Sequence, residues 1–97
     1  MGDRIGLEFV DGIGNSSVVI HSHWMGRELL VAAQKFVKDM SDELSKMSYD
    51  EAPARFLMWY GETFGIANTI DLQDSEQYDD CEDNGVFTVD LETGLIA

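Results

Sequence analysis

Alternating apolar and polar positions at the start of the chain predict two strands joined by a tight turn. In residues 4–10, every second side chain from Ile5 to Phe9 is large and apolar, which is the two-residue period of a half-buried strand. Residues 17–23 are rich in β-branched side chains and predict a second strand. Between the two, residues 11–15 contain the glycine, aspartate and asparagine that hairpin turns favour.

The middle of the chain has the three- and four-residue spacing of two amphipathic helices. The first is expected to begin near Arg27 and to end within residues 39–46, because its apolar side chains form one stripe opposite polar ones. The second follows Ser48, whose spacing to Glu51 is that of a capping box. It is expected to continue to about Phe64.

The strand period returns near the end of the sequence, in residues 66–72 and 86–91, which predict a third and a fourth strand. A turn at residues 92–94 precedes Leu95 and Ile96, which could pair as a short fifth strand. Because the strands come in neighbouring pairs, the order β-β-α-α-β-β predicts one α+β domain over residues 1–97. We expect two layers, with an antiparallel sheet of four to five strands and both helices on one face. The expected core residues are Leu7, Phe9, Val18, Ile20, Leu29, Ala33, Phe36, Val37, Phe56, Leu57, Tyr60, Phe87 and Val89.

The charge of the chain narrows the classes of protein that it can be. Nineteen acidic residues against six Lys and Arg give a net charge of -13 over 97 residues. Such a chain repels nucleic-acid phosphates and anionic lipid, so direct binding to nucleic acid or to a membrane is not expected. The apolar runs are far shorter than the roughly 18–20 residues of a membrane span. A single cysteine excludes an internal disulfide and a multi-cysteine zinc site, so we expect a cytoplasmic protein.

The acidic residues are concentrated in the second half of the sequence. Residues 49–97 hold twelve acids and one base, Arg55. The densest stretch is residues 71–83, named the acidic segment below, and we expect it to be a solvated loop that docks on a basic protein surface. A sharper form of this hypothesis is a mimic of DNA phosphates. The expected partner-binding residues are Asp71, Asp74, Glu76, Asp79, Asp80, Glu82 and Asp83.

Two histidines at the end of the second predicted strand provide the alternative, a metal-dependent or other enzyme. His21 and His23 project from one face of a strand, as two metal ligands can, and carboxylates could complete the site. In the structural interpretation both histidines hydrogen-bond to neighbours and Trp24 packs under the first helix; a partner-binding patch is the third interpretation. The chain has no HExxH motif, nucleophile elbow or glycine-rich phosphate loop, and the acids around Cys81 disfavour a thiolate. The sequence therefore favours a binding or regulatory module without a cofactor.

Two short motifs resemble a group of small uncharacterised proteins from phages, prophages and microbial genomes. Residues 22–26 read Ser-His-Trp-Met-Gly at a strand end just before a helix, and residues 89–91 read Val-Asp-Leu before a turn. The resemblance covers about residues 17–96 and implies the same order of strands and helices, but no particular activity. Members of that group are more basic between the two motifs than this chain is.

Overall fold

The predicted order of strands and helices is confirmed. The computed structural model describes residues 4–22, 25–65, 70–73 and 84–97. Strand β1 is followed by β2, helix α1, a short 3-10 helix, helix α2, and strands β3 and β4. In that order they cover Ile5–Val10, Val19–Ser22, Arg27–Asp39, Leu44–Lys46, Ala52–Phe64, Ile70–Gln73 and Val86–Asp90. The fold class is therefore α+β.

The strands pair in the order β3-β2-β1-β4. β1 is antiparallel to β2, with Leu7 opposite Ile20, and β2 is antiparallel to β3. β4 is parallel to β1, with Gly6 opposite Val86. The sheet has four strands, and the expectation that all of them are antiparallel was wrong, since β4 runs parallel to β1 and the sheet is mixed. The reason is that β3 and β4 do not form a hairpin: twelve residues separate them, which is long enough for a crossover between parallel strands.

The residues after β4 return along its outer edge. The Thr88 N–H donates to the Ala97 carbonyl at 2.9 Å, and the Ala97 N–H donates back to the Thr88 carbonyl at 3.0 Å. The expected short last strand is reduced to an isolated bridge between Val89 and Ile96. This pairing satisfies backbone groups that an edge strand would otherwise leave exposed.

Three phenylalanines join the two layers at the centre of the core. The ring of Phe9 in β1 lies 6.0 Å from that of Phe36 in α1, and Phe36 lies 5.3 Å from Phe56 in α2. All three side chains are buried. Edge-to-face pairs of this kind add roughly 0.5–1.5 kcal/mol to the gain from burial. Because Phe9 also contacts Phe56, both helices lie on the same face of the sheet, as predicted.

Most of the expected core residues are buried, but Val18 is 41% exposed and its prediction was wrong. β2 begins at Val19, two residues after the expected start at residue 17, and the buried residue before the strand is Ser17. The Ser17 N–H donates to the Phe9 carbonyl at 2.8 Å, and the Ser17 hydroxyl oxygen accepts the Phe9 N–H at 2.9 Å. The Ser17 hydroxyl thus takes the place of a backbone carbonyl as the acceptor for the Phe9 N–H. Four expected core residues are only partly buried, at the core margin: Val37, Leu57, Tyr60 and Phe87.

Local signals explain where α2 begins and ends. The Ser48 N–H donates to Glu51 Oε1 at 3.1 Å, which is one half of the predicted capping box. The other half is absent, because the Glu51 N–H donates to the Ser48 backbone carbonyl at 3.2 Å and not to the Ser48 hydroxyl. The hydroxyl donates to Asp50 Oδ1 at 2.6 Å, and the residue directly before α2 is Glu51. Pro53 lies in the first turn, where its missing N–H costs least. The helix ends before Gly65, whose φ of 93° is a conformation that glycine adopts without a Cβ clash.

Candidate interaction surfaces

The acidic segment begins in the edge strand β3, and the described residues that follow it lie at the opposite side of the sheet. Its first residue, Asp71, lies in β3 and is the backbone partner of His21. The chain is described again from Asn84, directly before β4 at the other side. The remaining acidic site residues lie outside the described residues, so their role as a partner-binding site stays a prediction: Asp74, Glu76, Asp79, Asp80, Glu82 and Asp83.

Hydrogen bonds tie the two residues that follow the acidic segment to β1 and to the residue before it. The side-chain amide of Asn84 donates to the Arg4 carbonyl at 2.8 Å. The Gly6 N–H donates to the Gly85 carbonyl at 3.0 Å. Asn84 and Gly85 are therefore held beside the start of β1.

The histidine site is only partly described. His21 is fully buried on the sheet face opposite Phe9, while His23 and Trp24 lie outside the described residues. Across residues 4–22, 25–65, 70–73 and 84–97, no group of three or more His, Cys, Asp or Glu could hold a metal ion. An imidazole without solvent access cannot meet a substrate from solution, so its burial favours the structural interpretation of His21.

The sheet face turned away from the helices also carries buried polar groups, which sequence reasoning missed. Glu8 in β1 is almost buried, and its Oε1 accepts a hydrogen bond from the Thr88 hydroxyl of β4 at 3.2 Å. Hydrogen bonding of this kind is what makes the burial of a carboxylate tolerable. The alternation in residues 4–10 is typical of a strand with one solvated face, and it gave no signal that both faces of β1 are buried.

A groove between the two helices is a second feature that the sequence did not indicate. It lies between the first half of α1 and the last residues of α2, has a volume of about 410 Å³, and is named the interhelical groove below. Val31 and Phe64 on its two sides are 61% and 53% exposed. Exposed apolar side chains that share one concave surface are typical of binding sites. The described residues that line it are Arg27, Glu28, Val31, Ala32, Tyr60 and Phe64.

Aromatic contacts hold Phe64 at this surface. Its ring lies 5.7 Å from that of Trp59 and 5.0 Å from that of Tyr60. Burial raises the pKa of the Tyr60 hydroxyl above its ordinary value of 10.0, and the Glu28 carboxylate raises it further by opposing a phenolate. Glu28 of α1 and Tyr60 of α2 both line the interhelical groove.

Comparison with known proteins assigns the chain to no family. No protein-family model, curated protein or solved structure matches it. Neither α1 nor α2, nor any other helix in the described part of the chain, is long and apolar enough to cross a membrane. A function for this protein is therefore inferred from the charge, burial and geometry of the chain itself.

Proposed function

We propose that this protein is a small acidic binding module that docks on a basic surface of another protein. The observation that supports the proposal best is the distribution of charge over the fold. Residues 66–97 contain nine acids and no base, whereas residues 1–65 contain ten acids and six bases. Five of those bases lie within residues 27–55, which cover α1, the short 3-10 helix and the first turn of α2.

Charge is therefore divided between the parts of the molecule. The helical layer has acids and bases intermixed, and its Lys35 ammonium lies 3.4 Å from an Asp39 carboxylate oxygen. The chain from β3 onward has no cation to neutralise its carboxylates. A surface of one sign attracts a partner of opposite sign over a distance, and it raises the association rate more than the affinity. Binding by this surface should weaken steeply as salt is added.

The sharper form of the proposal is that the acidic segment imitates DNA phosphates and occupies the site of a DNA-binding protein. The resemblance to phage and microbial proteins agrees with this form. A protein that binds DNA places Lys and Arg against phosphates, and the same cations would accept carboxylates. Duplex DNA should then compete with this protein for the shared partner.

Two charge-matched variants test where the partner docks. The first neutralises four residues of the acidic segment: Asp74→Asn, Glu76→Gln, Asp79→Asn and Asp80→Asn. The second neutralises four exposed acids of the helical layer and has the same net charge: Asp42→Asn, Glu43→Gln, Asp50→Asn and Glu62→Gln. The probe is a flexible lysine-serine peptide at low salt, with a glutamate-serine peptide as control.

We expect the lysine-serine peptide to bind the wild type and the helical-layer variant, and to lose most of its affinity for the acidic-segment variant. Equal affinity for all three proteins would contradict docking through the acidic segment. The same three proteins, used as bait in an extract of the native host, would identify the partner. A captured DNA-binding protein that duplex DNA displaces would support the mimic; capture insensitive to DNA would contradict it.

A further inference from the structure

We propose that the interhelical groove binds the apolar face of a basic amphipathic helix in the partner protein. This inference rests on the proposed function, because it names the chemistry of the partner segment that an acidic docking module would take. The acidic surface would bring the partner close, and the groove would supply the apolar contact that charge alone lacks. Helix-in-groove recognition of this kind uses apolar anchors spaced along one helical face.

The walls of the groove supply apolar surface that the fold leaves uncovered. Val31 comes from α1 and Phe64 from α2, and each keeps more than half of its surface exposed. Ala32, which belongs to the buried core, also lines the groove. A volume of about 410 Å³ is within the size range of ligand sites. Because its walls are exposed to solvent, the groove suits a segment large enough to cover Val31 and Phe64 when it binds.

The position of Phe64 is fixed before any partner arrives. Its ring meets that of Trp59 at an interplanar angle of 84° and stacks obliquely on Tyr60, and Trp59 in turn contacts the core residue Phe36. An anchor held in place loses little conformational freedom when a partner binds. The groove wall is therefore pre-organised by the core itself.

Charge complementarity selects a basic occupant. The described lining of the groove contains one base, Arg27, and one acid, Glu28, so its own charges sum to zero. The net charge of -13 on the whole chain therefore decides which charged partners are attracted over a distance. The Glu28 carboxylate and the Tyr60 side chain both border the groove, one from each helix. A lysine or arginine at the edge of the bound helix can lay its aliphatic stem over Phe64 and place its charge near Glu28. A second copy of this chain would bring the same negative charge and be repelled.

Three synthetic helical peptides separate apolar anchoring from charge. One combines lysine and leucine so that the leucines share one face, the second has serine in place of leucine, and the third has glutamate in place of lysine. The groove variant carries Val31→Ser and Phe64→Ser. The control is Met58→Ser, because Met58 is 65% exposed on α2 and does not line the groove. Affinity is measured by calorimetry, after circular dichroism has confirmed that each variant is folded.

We expect the wild type to bind the lysine-leucine peptide at least about tenfold more tightly than the lysine-serine peptide, since one buried leucine is worth that much. The groove variant should lose this difference and Met58→Ser should keep it. Glu28→Gln should weaken the lysine-leucine complex, and Arg27→Gln should strengthen it.

The contrary outcomes are distinguishable from one another. If both lysine peptides bind equally and the groove variant changes nothing, the groove inference is wrong and the acidic docking proposal stands. If neither lysine peptide binds, both proposals fail. Tighter binding of the glutamate-leucine peptide would show an anionic occupant and overturn the inference. So would a wild-type dimer in sedimentation that the groove variant abolishes, because a second copy would then fill the groove.

Discussion

The indole Nε1 of Trp59 donates a hydrogen bond to Asp39 Oδ2 at 3.2 Å and so joins α2 to the last residue of α1. The ammonium of Lys35 lies 3.4 Å from the same oxygen. A carboxylate at the C-terminal end of a helix opposes the helix dipole, and here the indole N–H and the lysine offset that repulsion. Asp39 thereby joins the C-terminal end of α1 to the middle of α2.

Trp59→Phe keeps an aromatic ring beside Phe36 and removes the indole donor. Combined with Asp39→Ala in a double-mutant cycle, it should give a coupling energy of roughly 0.5–1.5 kcal/mol in favour of the wild-type pair. Urea unfolding of the four proteins measures this energy. A coupling energy of zero would mean that the hydrogen bond contributes nothing to stability.

Phe36→Ala removes the ring that touches Phe9, Phe56 and Trp59. Because Phe36 is fully buried, we expect the free energy of unfolding to fall by about 3–5 kcal/mol. Val31→Ala, on the exposed side of the same helix, should change it by less than about 0.5 kcal/mol. If Phe36→Ala melts within a few degrees of the wild type, the core has been assigned to the wrong helix face.

The helices could be predicted because their signals are local. Leu29, Ala33 and Phe36 recur at the period of one helical turn. α1 covers Arg27–Asp39, within the bounds that this stripe predicts. Gly65 lies directly after α2, as a C-terminal glycine should. Such signals depend on residues three or four positions apart, which the sequence contains in full.

The sheet and the surfaces depended on information that is not local. Nothing in residues 86–90 indicates that they run parallel to β1, since pairing direction is set by the connection and by the other strands. Val18 has the residue type of a core position, yet the Ser17 contact with Phe9 shifts the start of β2. The interhelical groove exists only because α1 and α2 are placed beside each other, so Phe64 could not be assigned to it from the helical period.

Gly94→Ala tests the turn after β4. Gly94 has φ 76°, and an added Cβ would lie 3.1 Å from Val37 Cγ1 and 3.6 Å from Leu44 Cδ2. An alanine in the left-handed region costs about 1–2 kcal/mol for the backbone, and crowding against α1 adds to it. Gly14→Ala is the matched control, because Gly14 has φ 95° and open space around it. Thermal unfolding should show a larger fall in melting temperature for Gly94→Ala than for Gly14→Ala. Equal falls would show that the Val37 side chain moves aside at no cost in stability.

The Asp11 turn gives a prediction about pH. The Asn15 side-chain amide donates to Asp11 Oδ2 at 2.9 Å, and the Asn15 and Ile13 N–H groups donate to Oδ1. These bonds favour the carboxylate and lower the pKa of Asp11 below 3.8, with the side-chain amide as the largest cause. The turn is thus stabilised above the unfolded pKa, and this contribution is lost as pH falls through the folded pKa.

Asn15→Ala should therefore raise the pKa of Asp11 back toward 3.8, with the backbone bonds retaining part of the depression. A carboxyl-carbon NMR titration of the two proteins measures the change directly. Titration curves that coincide would show that the side-chain amide does not favour the carboxylate in solution.

Added salt should stabilise this protein. With nineteen acids against six bases, repulsion between carboxylates exceeds the attraction of ion pairs, and screening relieves it. The melting temperature should rise between low and moderate sodium chloride, as scanning calorimetry can measure. A flat or falling melting temperature would indicate that the carboxylates are too far apart to interact, or that pairs such as Lys35 with Asp39 matter more.

The parallel pairing of β1 with β4 constrains how the chain folds during translation. Thr88 bonds to Glu8 across 80 positions of sequence, so one side of β1 has no native partner until residues 86–90 have left the ribosome. The helices and the β1–β2 pair can form earlier, because their contacts are closer in sequence. During that interval the unpaired side of β1 is open to strands of other nascent chains, which makes it the point where misassembly would begin.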